Sequence, residues 1–207
     1  MRDSGNYFGL TGGIASGKST AAAMFSEIGA RIVDADKIGH EFLHSSSPAF
    51  PEIVSTFGPS ILDPSGEIDR RRLGPLVFTD PAKLRQLNAI LHPHIIHRVE
   101  QRAREYCAQD PAAVVIVDAA LIYEADIGGR FRKVIVAWCR PGQQIERLIA
   151  KAGIAREEAE KRIESQMPSE EKRRRADFVI DCSGSLEATR RQVEALYPQL
   201  RRLIQTA

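Results

Sequence analysis

Short apolar runs rich in valine and isoleucine alternate with longer segments of helical periodicity along this 207-residue chain. The alternation predicts an α/β fold in which crossover helices connect the strands of a parallel sheet. Because each run is almost continuously apolar, we expect strands that are buried on both faces of the sheet. The five predicted strands are Tyr7–Thr11, Arg31–Asp34, Val114–Asp118, Val134–Ala137 and Phe178–Ile180.

Two helical insertions interrupt this pattern. Prolines such as Pro75 and Pro93 break residues 37–107 into helical pieces with no convincing strand, which predicts an inserted helical lobe. Residues 145–175 are helical and highly charged, and they separate the fourth strand from the fifth. The remaining residues form the predicted core of a three-layer fold, in three segments: 1–36, 108–144 and 176–207.

The charge of the chain indicates which kinds of partner are expected. A net charge of +2 is too small to indicate a nucleic-acid partner, and the arginine runs have no aromatic residues beside them for stacking on bases. Those runs, Arg70–Arg72 and Lys172–Arg175, are most simply solvated faces, with an anion clamp as the alternative.

Three widely spaced cysteines and the absence of long apolar runs bear on location. An odd number of cysteines without a C-x-x-C pair argues against a disulfide framework or a structural zinc site, and fits a reducing compartment. No run is apolar for long enough to span a bilayer, and the first residues do not resemble a signal peptide. We therefore expect a cytoplasmic protein that does not bind membranes.

The most specific motif follows the first strand. Residues 12–19 match G-x-x-x-x-G-K-[ST], with a strand before the loop and an amphipathic helix after it, and this is the context of a P-loop. Backbone N–H groups and the positive end of the helix dipole would face phosphate oxygens. The predicted ATP-binding residues are Gly13, Ile14, Ala15, Ser16, Gly17, Lys18, Ser19 and Thr20; Lys18 would contact the β- and γ-phosphates, and the Ser19 hydroxyl would bind Mg²⁺.

Acidic residues end two of the other strands. Ligands of open α/β sheets bind beyond the carboxyl ends of the strands, so these carboxylates should face one crevice. Asp118 follows four apolar residues and is a candidate Mg²⁺ ligand, or alternatively a residue that braces the loop. Asp34 and Asp36 lie at the end of the second strand, and either carboxylate could accept the proton of an attacking hydroxyl. The residues alone do not choose between these two.

The charged insertion is predicted to be a lid. Cations at helical spacings would reach the transferring phosphoryl group and exclude water from it. Most of them are equally well explained as a solvated helix paired with neighbouring glutamates, so we expect one to three to be functional. The candidates are Arg147, Lys151, Arg156, Lys161, Arg162 and the run Lys172–Arg175.

A second motif competes with the P-loop. Residues 40–44, with His40 and His44 at the ends, match H-E-x-x-H, the pattern of zinc proteases. Because a zinc hydrolase would need a third ligand and would leave the P-loop unexplained, the match is interpreted as chance. His92, His94 and His97 form another cluster, either of ordinary surface histidines or of substrate contacts.

Several segments together resemble the dephospho-coenzyme A kinase family, in order from about residue 7 to residue 200. The P-loop is common to many proteins, whereas the Asp-Ala-Asp and Leu-His-Pro segments in series are far more specific. The matching segments are Gly9–Thr20, Val33–Asp36, Leu91–Pro93, Ala120–Glu124, Arg162–Ile163 with Gln166, and Ala176–Asp181.

The resemblance implies a P-loop kinase that moves the γ-phosphate of ATP, with Mg²⁺, to the ribose 3′-hydroxyl of dephospho-coenzyme A. It places the proposed base on Asp36, a catalytic lid arginine on Arg147 alongside Lys18, and substrate contacts on His92 and Tyr123 as well as Asp36. It further implies a substrate lobe at residues 37–107, a lid, and, we expect, a monomer. The alternatives are another small-molecule kinase, of the nucleoside monophosphate or shikimate type, or an ATP-binding regulator without activity.

Three residues depart from the family pattern. Ala120 stands where a proline is usual, Lys151 where an arginine is frequent, and Cys182 where an asparagine is usual. Lysine keeps the charge of arginine but lacks its bidentate fork, so Lys151 is not expected to be the functional lid cation. Cys182 leaves an adenine-side contact in question. None of the three belongs to the predicted phosphate loop, so kinase activity remains the expectation.

Overall fold

The structure is a computed structural model that describes residues 6–205, except for the side chain of Phe78. Residues 1–5 and 206–207 of the predicted core lie outside the described residues. The described chain forms two compact units. Residues 6–34 and 102–205 form one, here called the sheet unit, and Ala35–Gln101 forms the other, called the helical unit. The second boundary falls within a long helix.

Five parallel strands form the sheet, which confirms the predicted α/β fold. Their order is β2-β3-β1-β4-β5, so that β1 lies in the centre between β3 and β4. Every strand begins and ends within one residue of its predicted bounds. The strands are β1 Phe8–Thr11, β2 Arg31–Asp34, β3 Val115–Asp118, β4 Val134–Trp138 and β5 Phe178–Asp181.

The three inner strands are buried along their whole length, as their apolar sequences predict. The same prediction was wrong for β2 and β5, where exposed and buried positions are mixed and Val179 keeps 36% of its surface accessible. These two strands are the edges of the sheet, and an edge strand has a neighbour on one side only. An apolar run therefore identified the strands, but it did not identify their place in the sheet.

Within residues 6–205 the chain forms nine α-helices and two short 3₁₀ turns, at Pro59–Ile61 and Gly128–Arg130. The helices are α1 Lys18–Glu27, α2 Ala35–Glu41, α3 Phe50–Phe57, α4 Arg70–Phe78, α5 Pro81–Gln109, α6 Pro141–Ala152, α7 Arg156–Glu164, α8 Ser169–Arg175 and α9 Leu186–Gln205.

Helices cover both faces of the sheet, which gives the three layers. On one face, α1 and α9 pack on Leu10 of β1 and Ile135 of β4 in a shared apolar core. Trp138 has the opposite orientation to Ile135 and Ala137 because side chains alternate along a strand. On that second face α8 contacts β4, and the guanidinium of Arg173 lies 4.2 Å from the centre of the Trp138 ring.

The helical unit has its own core and little strand structure. Ile53, Leu73 and Leu87, from three different helices, are buried together. Its one isolated β-bridge among the described residues joins Leu62 to Ile68. Helix formation continues through Pro75 and Pro93, so the expectation that these prolines break the helices was wrong. Burial of the surrounding apolar side chains offsets the lost backbone hydrogen bond, which costs about 3 kcal/mol in an isolated helix.

Within residues 6–205, no helix combines the length and the apolar character needed to cross a membrane.

Candidate active site

The loop between β1 and α1 has the tight backbone of a phosphate cradle. Gly17 caps α1 with a left-handed φ of 104°, and a Cβ there would lie 2.8 Å from the Cβ of Cys182. A Cβ on Gly12 would lie 2.5 Å from the carbonyl oxygen of Ala137 in the next strand. Both positions therefore require glycine for steric reasons. Ala15 also has a positive φ, of 58°, which shows how sharply the loop turns.

Polar groups of this loop are arranged around the start of α1. The Ser16 N–H donates to the Gly13 carbonyl oxygen at 3.1 Å, which closes the turn. Ser16 is 1% exposed, and its hydroxyl has no hydrogen-bond partner among the described residues. Ser19 lies in the first turn of α1 and is exposed. Because the first N–H groups of a helix lack partners within the helix, this end attracts an anion.

Lys18 and Asp118 form an ion pair at the carboxyl edge of the sheet. Their side chains are only 12% and 10% exposed, so the pair is largely shielded from water. Asp118 is aligned with Leu10 of β1 on one side and with Asp34 of β2 on the other. The structure thus brings together Lys18 and two strand-end carboxylates, as the strand-end rule predicts.

Two glutamines are hydrogen-bonded to the peptide groups of Ile14. The side-chain N–H of Gln144, from α6, donates to the Ile14 carbonyl oxygen at 2.8 Å, and the Gln166 carbonyl oxygen accepts from the Ile14 N–H at 2.8 Å. Gln144 is 1% exposed although it is polar. Gln166 lies between α7 and α8, so this bond connects the phosphate loop to the charged insertion.

Arg147 of α6 is bonded to the segment that follows β5. Its guanidinium donates to the carbonyl oxygen of Cys182 at 2.7 Å, and Gln143 on the same helix donates to the carbonyl oxygen of Ser183 at 2.9 Å. These bonds join α6 to the segment that follows β5. The structure places Arg147 on the sheet unit, with a partly buried side chain. Its role toward phosphate remains a prediction.

Most other cations of residues 145–175 are exposed. Arg162 pairs with Glu158 at 2.6 Å and Arg156 with Glu160 at 3.5 Å, each one helical turn away. Such surface pairs contribute little to stability. They agree with the interpretation of these residues as a solvated helix with glutamate partners.

Tyr123 lies in the loop after β3 with a half-buried side chain. Its hydroxyl is buried without a hydrogen-bond partner among the described residues, and the Arg175 guanidinium is 6.0 Å from the centre of its ring. Burial, and then the negative charge of Asp177, raise the pKa of Tyr123 to about 12, with Arg175 acting in the opposite direction. The phenol is therefore protonated at neutral pH and can donate a hydrogen bond.

The helical unit carries the other two predicted substrate residues. Asp36 is exposed in the first turn of α2, two residues after the end of β2. His92 is partly buried in α5, and burial lowers its pKa below 6.5. His94 packs its ring against Phe42, with 5.5 Å between the ring centres, whereas His97 is exposed. The three histidines thus have different surroundings and do not act as one cluster.

A cavity of about 800 Å³ lies within the helical unit, and two residues of the run Arg70–Arg72, for which an anion clamp was the alternative prediction, line it. Its polar residues include Arg70 and Arg71 at the start of α4, whose side chains have no partner among the described residues. Asp69, also in the lining, accepts from the Arg71 N–H and pairs with Arg72. The apolar residues of the lining are Leu43, Ile68, Leu73, Val77 and Leu87. The cavity can accept a ligand with an anionic end and an apolar body.

The H-E-x-x-H segment does not adopt the geometry of a zinc site. Helix α2 ends at Glu41, so His40 and His44 are not one turn apart on the same helix. His44 instead lies 3.7 Å from the carboxylate of Glu67. No group of three or more histidine, cysteine or acidic side chains in the described part of the chain could hold a metal ion.

Sequence reasoning missed one residue at the second face of the sheet. Lys172 was grouped with a cationic run interpreted as a solvated face, yet its side chain is 0% exposed, while Arg173–Arg175 are exposed. Its ammonium contacts Glu124 and the carbonyl oxygen of Ala120, each at 2.8 Å. The helical spacing of Ser169, Lys172 and Ala176 was the available signal, since the residues between them are all charged.

Comparison with known proteins identifies the family. The model of the family described as dephospho-CoA kinase matches residues 6–188. The chain belongs to the dephospho-CoA kinase family. Curated dephospho-CoA kinases from Symbiobacterium thermophilum and Leifsonia xyli are 46% identical over 189 residues and 44% identical over 193 residues. These alignments cover 91% of this chain and 79% of the first relative, and 93% of this chain and 98% of the second.

Solved structures agree with this family. The dephospho-CoA kinase from Campylobacter jejuni is similar with a TM-score of 0.63 and 26% identity, and the alignment covers 94% of this chain and 97% of the other. A protein from Thermus thermophilus, TT1252, is similar with a TM-score of 0.77 and 32% identity, over the same shares of the two chains. The resemblance inferred from the sequence is thereby confirmed.

The three departures from the family pattern have different structural consequences. Ala120 takes part through its carbonyl oxygen, which accepts from the Thr11 hydroxyl at 2.9 Å and from Lys172, so this contact does not need a particular side chain. Lys151 is exposed in the last turn of α6. Cys182 is buried against Gly17, and burial is the main cause that raises its pKa to about 11. In this dephospho-CoA kinase family member Cys182 is therefore a packing residue.

His92 should make the stability of the helical unit depend on pH. Because burial lowers its pKa in the folded protein, the unfolded chain binds more protons just below pH 6.5. We expect the free energy of unfolding to fall as the pH decreases from 6.5 through the lower folded-state pKa of His92. Urea unfolding followed by circular dichroism, from about pH 7.5 to about pH 5, measures this dependence.

The His92→Gln variant should show a smaller loss of stability on the acidic side than the wild type. His97→Gln, which removes an exposed imidazole from the same helix, controls for the loss of a histidine as such. If the free energies of unfolding of His92→Gln and wild type fall equally as the pH decreases, His92 does not contribute to the pH dependence of stability.

Proposed function

We propose that this protein transfers the γ-phosphoryl group of ATP to the ribose 3′-hydroxyl of dephospho-coenzyme A and releases ADP and coenzyme A. The observation that carries this proposal is a P-loop with Lys18 and Asp118 joined at its mouth, in a chain that belongs to the dephospho-CoA kinase family.

The phosphate loop binds the triphosphate through backbone N–H groups, and Lys18 supplies a positive charge to it. An incoming phosphate competes with Asp118 for the Lys18 ammonium, because both are anions. Arg147, on α6, is proposed to stabilise the negative charge of the phosphoryl group while that group is transferred. Phosphoryl transfer has a loose transition state, so fixed positive groups and correct positioning account for most of the rate.

Asp36 is the proposed general base. Its carboxylate accepts the proton of the acceptor hydroxyl as the oxygen of that hydroxyl forms a bond to the γ-phosphorus. The bond from this phosphorus to the bridging oxygen breaks at the same time, and its electron pair leaves with ADP. His92 and Tyr123 are proposed to contact the acceptor, with the Tyr123 phenol donating a hydrogen bond.

Mg²⁺ is the expected companion of ATP, and the available oxygen donors suit it. The Ser19 hydroxyl is exposed at the start of α1, and the carboxylate of Asp118 lies at the neighbouring strand end. A small hard cation prefers such oxygen ligands, together with water and phosphate. When bound, it would neutralise charge on the phosphate oxygens.

The cavity of the helical unit is proposed to hold the part of dephospho-coenzyme A beyond the ribose. Arg70 and Arg71 provide two cationic side chains without protein partners, which suits a diphosphate. The apolar lining suits the less polar arm of the substrate. Asp63 and Asp69, also in the lining, accept hydrogen bonds from backbone N–H groups of their own segments, and Asp69 pairs with Arg72.

The family membership does not favour the alternatives of another small-molecule kinase or an inactive ATP-binding regulator. The monomeric state and the cytoplasmic location remain predictions. Three free cysteines, two of them buried, support a reducing compartment.

The reaction is tested by incubating the purified protein with Mg-ATP and dephospho-coenzyme A. Mass spectrometry should detect a product heavier by one phosphate. Lys18→Ala should abolish its formation, because the variant loses the main cation of the phosphate loop. If the wild type binds ATP but forms no product with this acceptor, the substrate assignment is wrong and other hydroxyl acceptors must be screened.

The base is tested by two matched substitutions, Asp36→Asn and Asp34→Asn. A general base contributes about 10²- to 10⁴-fold to the rate, so Asp36→Asn should lower kcat by that factor. Its dissociation constant for ATP, measured by calorimetry, should stay near the wild-type value. Asp34→Asn should retain much more turnover. The reverse ranking would move the base to Asp34.

The cavity is tested with the double variant Arg70→Gln and Arg71→Gln. Losing charged hydrogen bonds to a diphosphate should raise the KM for dephospho-coenzyme A roughly tenfold or more, with the KM for ATP unchanged. Arg85→Gln, an exposed change in the same unit outside the cavity, is the control. An unchanged KM for the acceptor would refute this site without affecting the proposed reaction.

A further inference from the structure

Lys172 is a buried ammonium in a helix that otherwise faces water. Its side chain is 0% exposed, whereas Arg173, Arg174 and Arg175 on the same short helix are exposed. A charge in such a position is stable only with close partners. Lys172 has two, the Glu124 carboxylate and the Ala120 carbonyl oxygen, each at 2.8 Å.

Glu124 connects two parts of the charged insertion to the loop after β3. The same carboxylate oxygen that pairs with Lys172 accepts a hydrogen bond from the Met167 N–H at 3.0 Å. Met167 lies just before α8, and Lys172 lies within it. One carboxylate therefore fixes both the start of α8 and the segment that leads into it.

This pair is linked to the phosphate loop by two short routes. The Ala120 carbonyl oxygen that accepts from Lys172 also accepts from the hydroxyl of Thr11, the last residue of β1 before the loop. Gln166, the neighbour of Met167, accepts from the Ile14 N–H at 2.8 Å within the loop. Movement of Lys172 would thus disturb both the first residue before the loop and a peptide group inside it.

Burial and two charged neighbours act on the pKa of Lys172. Burial lowers its pKa and the carboxylate of Glu124 raises it, while the positive charge of Lys18 adds to the lowering. Because its ammonium is buried and bonded to Glu124 and Ala120, we assign Lys172 a positioning role and not a contact with substrate.

We propose that Lys172 and Glu124 form a positioning pair that keeps Ala120, Gln166 and the phosphate loop in register for phosphoryl transfer. The proposal rests on the proposed nucleotide site. A buried ion pair is weak evidence for a role in stability, since an apolar replacement is often neutral. Positioning, by contrast, is sensitive to small shifts, because a displacement of about 1 Å can cost roughly 100-fold in rate.

The main variant is Lys172→Met, which keeps an unbranched side chain of similar length and removes the ammonium. We expect kcat for coenzyme A formation to fall roughly 10- to 100-fold. The dissociation constant for ATP should change far less, because Lys18 and the backbone N–H groups remain. Arg174→Met, the same kind of change at an exposed position of the same helix, should leave kcat unchanged.

A double-mutant cycle tests whether the two residues act as a unit. Glu124→Gln removes the charge of the partner but keeps an oxygen for the Met167 N–H. If Lys172 and Glu124 act together, the double variant should lose no more activity than the worse single variant. Multiplied losses of activity would show two independent effects and refute the pair.

Thermal unfolding identifies variants that lose activity only because they unfold. A variant that unfolds at a lower temperature than the wild type, but keeps its kcat when it is assayed below that temperature, also refutes the pair.

Hydrogen exchange gives a readout that does not depend on the acceptor. In Lys172→Met, peptides covering residues 12–16 and 119–127 should exchange faster than in wild type, while those of α9 should not. Unchanged protection of the phosphate loop would overturn the proposal even if the protein proved to phosphorylate another substrate. The activity assay therefore tests the proposed reaction, and hydrogen exchange tests the positioning pair separately.

Discussion

The central position of β1 in the sheet is the constraint on which the active site depends. Because β3 and β4 flank it, the loop that leaves β1 must turn between Asp118 on one side and the carbonyl oxygen of Ala137 on the other. There is no room for a side chain on Gly12, and Gly17 must adopt a left-handed conformation to begin α1. The phosphate cradle is therefore a consequence of strand order as much as of the motif.

Two lysines of the sheet unit, each largely shielded from water, illustrate different uses of buried charge. Lys18 and Asp118 lie at the mouth of the loop, where an anionic ligand can take the place of the carboxylate. Lys172 and Glu124, by contrast, are bonded to Ala120 and Met167 of the protein. We propose that the first pair exchanges partners when the ligand binds and that the second keeps its partners. A site that binds a highly charged ligand needs a cation that can bind the ligand. It also needs surrounding contacts that keep their geometry when that cation changes partner.

The sequence was sufficient for the strands and the phosphate loop, because apolar runs and a glycine motif are local signals. It failed where tertiary structure decides. Whether a strand is an edge cannot be inferred from its own residues, so β2 and β5 were expected to be fully buried. Lys172 was hidden in a cationic run, since a linear pattern does not show which residue of a short helix faces inward. The choice between Asp34 and Asp36 stayed open for the same reason, as these residues lie where strand changes to helix.

The side chains that hold Ile14 suggest why glutamine is suited to this position. A phosphate loop must have its peptide groups fixed from outside, yet a carboxylate without a cationic partner beside it would repel the triphosphate, and an ammonium cannot accept from an N–H group. An uncharged amide can donate at one position, as Gln144 does, and accept at another, as Gln166 does. Since Gln166 belongs to the charged insertion, its acceptance of the Ile14 N–H also makes the shape of the loop depend on where that insertion lies. Contacts made by uncharged side chains can thus couple the phosphate loop to the charged insertion without adding charge to the phosphate site.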